Sequence, residues 1–116
     1  MKVIIAGSRS ITDYDLVKQA IAGSGFDITE VVEGEAEGVD LLARRWAEEN
    51  GVPFKPFPVP DWRIGKRAGR VRNRQMADYV GPEGGLILLW DGQSPGSRNM
   101  LDIALSMGMR IHKVIV

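Results

Sequence analysis

The chain has 116 residues, enough for one compact domain around one core, and its 44% hydrophobic content excludes a disordered protein. It has no cysteine, which excludes a disulfide framework and thiolate metal sites and fits a reducing compartment. Its 15 basic and 15 acidic residues cancel, so it lacks the basic excess expected of a general nucleic-acid binder.

Taken in chain order, short apolar runs alternate with helical stretches. Val3 to Ala6 reads as a buried strand ended by Gly7. Thr12 with Asp15 resembles a capping box, followed by a stripe of Leu16, Val17, Ala20 and Ile21 that stops at Gly23. Thr29 to Val32 is a second strand. Val39 to Asn50 is a helix with Leu42, Ala43, Trp46 and Ala47 on one face. Val52 to Phe57, interrupted by prolines, is expected at a sheet edge. Ala68 to Val80 reads as a helix with Met76, Ala77 and Val80 inward. Gly85 to Trp90 is the most apolar run and is expected inside the sheet. Ser97 to Met107 is the last helix and Ile111 to Val116 the last strand. The order predicts a Rossmann-like three-layer α/β/α sandwich, a single domain over residues 1–116 with a mostly parallel five-stranded sheet.

No apolar run approaches the ~20 residues of a membrane span, and Lys2 to Ala6 is too short for a signal-peptide core. A cytoplasmic protein with no membrane partner is expected. Charge is segregated along the chain. Arg63, Lys66, Arg67, Arg70, Arg72 and Arg74 follow one another with no acid between them, after a third rich in Asp and Glu. Such a stretch is an anion site, a solvated face or a contact between subunits. Open sheet edges and this segregation predict a homodimer or higher oligomer.

Ligands of an open parallel sheet bind beyond the carboxyl ends of the strands, so the loops there carry the candidates. Gly7-Ser8-Arg9 follows the first strand, where glycine admits a close ligand and arginine grips phosphate. Gly34 and Gly38 frame the start of a helix that carries Asp40, a residue suited to ribose hydroxyls or to the helix dipole. Ser94, Gly96 and Ser97 open the last helix and offer N–H groups and hydroxyls to an anion. Trp62 with Arg72-Asn73 is placed to hold a base or to close a core. With one histidine, His112, neither a transition-metal site nor a Ser-His-Asp triad is expected, and no cofactor is assigned.

Gly7-Ser8-Arg9, then Gly34, Ala36, Gly38 and Asp40, then Asp61-Trp62, Gly65, Ala68-Gly69, Arg72-Asn73 and Met76, then Trp90, Gly92, Ser94, Gly96 and Ser97 form an ordered set. In this order they resemble the SLOG superfamily, the Rossmann-like relatives of the DNA-processing protein DprA and of the cytokinin-activating LOG enzymes. More narrowly they resemble its small YspA-like branch. The resemblance implies a nucleotide-type ligand, ADP-ribose-like or a nucleoside monophosphate, bound by a sensor or processing module. It also implies two other readings: LOG-like cleavage of an N-glycosidic bond, and DprA-like binding of single-stranded nucleic acid. The LOG motif ends in a glutamate, and Met100 stands at its place here, which leaves Asp40, Asp91 or Asp102 as substitutes. Glu35 likewise stands where the family's second loop carries the second glycine of a pair.

Overall fold

The computed structural model describes residues 1–60, 63, 65 and 67–116. Strands and helices alternate: β1 Lys2–Gly7, α1 Tyr14–Ser24, β2 Glu30–Glu33, α2 Val39–Glu49, β3 Phe54–Pro56, α3 Arg67–Val80, β4 Gly85–Trp90, α4 Pro95–Met107 and β5 Arg110–Ile115. All pairings are parallel, in the order β3-β2-β1-β4-β5. This is the α/β sandwich that the alternation predicts. The proline-bearing run is the edge strand β3, and the run from Gly85 to Trp90 is interior and buried throughout.

Successive strand residues point to opposite faces, so each strand feeds two cores. Val3, Ile5, Val31, Ile87 and Leu89 meet Val17, Ala20 and Ile21 of α1 and Val39, Ala43 and Ala47 of α2. On the other face Ile4, Val32, Leu86, Leu88 and Trp90 meet Met76, Ala77 and Val80 of α3 and Met100 and Ala104 of α4. Burying each large aliphatic side chain here is worth about 1.5–3 kcal/mol. The chain winds outward from β1 to β3, then α3 carries it back to lay β4 on the other side of β1. The loops after β1 and β4 therefore leave for opposite faces and open a crevice between them.

Local chemistry moves several boundaries. Asp13, not Thr12, caps α1, its Oδ1 accepting from Asp15 N at 2.9 Å. The helix runs past Gly23 to a left-handed Gly25, because only Gly25 sits where the chain must turn. α4 begins at Pro95, whose missing N–H costs nothing in the first turn, so Ser97 lies inside the helix. No described helix is long and apolar enough to cross a membrane.

Candidate functional site

Glycine at the end of β1 is a packing requirement. A Cβ on Gly7 would lie 2.3 Å from Leu89 O and 2.6 Å from Val39 Cγ2, so β1, β4 and α2 meet at a point with no room for a side chain. The chain then turns, with Ser8 N donating to Leu89 O at 3.1 Å and Ser8 Oγ accepting from Asp91 N at 3.2 Å. These bonds tie the loops after β1 and β4 into one wall.

Asp91 shapes the second loop. Its Oδ1 accepts from Gln93 N at 2.9 Å and Ser94 N at 2.8 Å, and these donors hold its carboxyl below the usual range. The turn delivers Ser94, Pro95, Gly96 and Ser97 into the start of α4, where Ser94 Oγ donates to Ser97 Oγ at 3.4 Å. Intrahelical bonding begins with Arg98 N to Ser94 O, so the N–H groups of Gly96 and Ser97 stand ahead of it, at the positive end of the dipole.

From α3, Asn73 Nδ2 reaches Gly96 O at 3.2 Å and Asn99 Oδ1 at 3.0 Å, which locks α3 to the first turn of α4. Its Oδ1 accepts from Arg72 Nε at 3.2 Å, and Arg72 Nη1 donates to Gly34 O at 2.6 Å. A Cβ on Gly34 would lie 2.4 Å from that Nη1, so this glycine admits the guanidinium. Asp40 Oδ2 accepts from Gly34 N at 3.1 Å and Ala36 N at 3.3 Å. Asp40 is 4% exposed, and burial pushes its carboxyl up to about 7 against the opposing pull of Arg72 and the two N–H groups. Burial pushes Arg72 down, with Arg9 adding to that and Asp40 opposing it.

These elements enclose a cavity of about 610 Å³ beyond the ends of β1 and β4. Gly7, Ser8, Arg9, Asp40, Arg72, Asn73, Ser94, Gly96 and Ser97 all line it, joined by Arg70 and Asp91. Ala6, Met76 and Met100 add apolar surface. Gly34 lines an adjoining cavity of about 320 Å³, which shares Arg9, Ala36, Val59 and Arg72 with the first. Gly38 lines neither. At φ 78° it packs beneath the carbonyls of Ser8 and Arg9 and joins α2 to the first loop. Trp62 lies outside the described residues.

Of the three aspartates considered as substitutes for the missing glutamate, Asp40 and Asp91 line the larger cavity, whereas Asp102 is exposed on α4 and does not. Met100 is buried beneath the site, an apolar group at the glutamate's place. Sequence reasoning missed the pair behind the second loop, Glu33 and Arg44. Glu33 is fully buried at the end of β2, and its Oε1 accepts from Arg44 Nη2 at 2.7 Å. The signal in the sequence was an acid directly after the apolar pair Val31-Val32, at the end of a very short strand.

Comparison with known proteins adds one positive finding. The profile of the family described as YspA, cpYpsA-related SLOG matches residues 1–65, more than half of the chain. That span holds the loops carrying Gly7-Ser8-Arg9, Gly34, Gly38 and Asp40. No curated protein gives a significant match.

Proposed function

This chain belongs to the YspA, cpYpsA-related SLOG family, and from that premise we propose that it binds a phosphate-bearing nucleotide or nucleotide-derived ligand, ADP-ribose-like or a nucleoside monophosphate, at the carboxyl edge of the sheet. The observation that carries the reading is one cavity of about 610 Å³ at the switch point, shared by the β1 loop, the start of α4 and the arginines of α3. Gly96, Ser97, Ser8 and Arg9 suit the phosphate: unpaired N–H groups, hydroxyls and a guanidinium on one wall. Met76 and Met100 offer a polarisable apolar surface to a base. Asp40 remains available to sugar hydroxyls through the oxygen that the loop amides leave unused.

A thermal-shift panel with AMP, ADP-ribose, NAD, a cytokinin riboside monophosphate and a short single-stranded oligonucleotide tests this. A nucleotide at about 100 times its Kd stabilises the fold by about 2.7 kcal/mol, roughly ten degrees for a domain of this size. A flat response to every nucleotide sinks the reading, and a shift with the oligonucleotide alone replaces it with a nucleic-acid role.

One observation favours a second reading, cleavage of the N-glycosidic bond of a nucleoside monophosphate. Asp40 is a buried carboxyl on the cavity wall, pushed up to about 7 and so able to hold or give a proton near neutrality. Release of free base by the wild type but not by Asp40→Asn is the expected sign. No release from any monophosphate in the panel removes this reading and leaves binding intact.

A further inference from the structure

The loop between β2 and α2 borders both cavities in a conformation that its own sequence disfavours. Glu35 has φ 59°, in the left-handed region where a residue with a Cβ is strained. Its backbone N–H donates to Glu33 Oε2 at 2.6 Å. Glu33 Oε1 accepts from Arg44 Nε at 3.2 Å and Nη2 at 2.7 Å, and the same Nη2 reaches Glu35 Oε1 at 3.0 Å. Arg44 also lies over the Phe54 ring, 5.1 Å from its centroid. The three charged side chains thus clasp the loop from behind, while Arg72 and Asp40 hold Gly34 and Ala36 from the cavity side.

Glu33 is 0% exposed, and an ion pair so placed is weak as a source of stability, since desolvation offsets the Coulomb attraction. What it does supply is geometry. Neither Glu33 nor Arg44 lines either cavity, yet Gly34, Ala36 and Asp40, which do, are spaced by the loop that these two fix.

We infer that Arg44 is a positioning residue for ligand binding: through Glu33 and Glu35 it holds the β2–α2 loop in the left-handed turn that sets the cavity wall. The inference rests on the nucleotide-binding reading of that cavity. Two readouts separate the two claims: hydrogen exchange of the Gly34 and Ala36 amides, which needs no ligand, and calorimetric affinity for AMP. The double variant Glu33→Gln/Arg44→Met removes both charges together, so no lone buried ion remains. Arg44→Lys, which keeps Glu33 paired but loses the two-pronged grip, guards against an unfolded double variant. Exchange at both amides should quicken, and AMP should bind roughly tenfold more weakly, the equivalent of the left-handed cost. Adding Glu35→Gly should restore both, because glycine takes that φ freely, whereas a merely destabilised core would stay destabilised. Unchanged exchange and affinity in both Arg44 variants, or no recovery with Glu35→Gly, overturns the role. Wild-type protein that ignores AMP counts against the ligand reading, while the exchange data still decide whether Arg44 fixes the loop.

Discussion

At Gly7 and Gly34 the same residue type answers two different constraints, and substitution separates them. Alanine at position 7 meets a backbone carbonyl, Leu89 O, which cannot move without parting β1 from β4. Gly7→Ala should cost about 3 kcal/mol or more, read as a large fall in Tm. Alanine at position 34 meets the guanidinium of a flexible side chain, so Gly34→Ala should cost only the Arg72 bonds to Gly34 O and Asn73 Oδ1, about 1–3 kcal/mol. Equal losses at the two sites would contradict this distinction. Gly96 is the third informative glycine, because a side chain there enters open space. Gly96→Asp should leave Tm unchanged or slightly higher, an acid at a helix start being favoured by about 0.3–1 kcal/mol. It should nevertheless weaken nucleotide binding at least tenfold, whereas Gly96→Ala should not. If Gly96→Asp binds every nucleotide as the wild type does, the phosphate does not sit at the start of α4. The sequence marked all three positions as glycine; which kind of room each one needed is a property of the atoms packed against it.

Between elements, Asn73 is the joint. One amide ties α3 to α4 through Gly96 O and Asn99 Oδ1, and its oxygen takes Arg72 Nε. Asn73→Ala leaves three part-buried polar groups, Gly96 O, Asn99 Oδ1 and Arg72 Nε, short of a partner and should destabilise the fold by about 1–2 kcal/mol. It should also loosen the start of α4, so that ligand affinity falls alongside stability. Denaturant unfolding and calorimetry on the same variant check both, and full affinity in a destabilised protein would separate the joint from the site. Residues 72 and 73 were legible as candidates because they lie within the arginine run. Their partners were not, since Gly96 and Asn99 are more than 20 residues away and only the packing of α3 on α4 brings them near. Glu33 and Arg44 were passed over for the same reason: 11 residues apart, on a strand and a helix, they show no spacing rule.

For the whole molecule the buried carboxyls set a pH dependence. Asp40 is raised from the ordinary 3.8 to about 7, and Glu33 is raised by its burial, Arg44 opposing. A carboxyl that holds its proton more tightly folded than unfolded gives stability that is present at low pH and lost as pH rises through its folded value. Stability should therefore fall between about pH 4 and pH 7, by up to about 4 kcal/mol for Asp40. Asp91, held down by the amides of Gln93 and Ser94, works the other way and favours the fold above the ordinary carboxylate range. The optimum is expected on the acid side of neutrality. Denaturation at pH 5 and pH 8 should show the slope in the wild type and much less of it in Asp40→Asn. A wild type equally stable at both values would mean that Asp40 is ionised throughout.

What the sequence determined by itself was the alternation of elements, the interior place of the run from Gly85 to Trp90, the edge place of β3 and the small-residue loops after β1, β2 and β4. Hydrophobic period, chain punctuation by glycine and proline, and the parallel sheet they require are local properties, and local properties are written in the order of residues. The tertiary structure alone decided that β1 lies between β2 and β4, because strand order depends on where α3 crosses the sheet. It also decided that nine of the predicted site residues share one cavity while Gly38 serves as packing beneath it. The burial of Glu33 and the turn at Glu35 were settled there too, since desolvation and a left-handed φ arise only once the surrounding chain is in place.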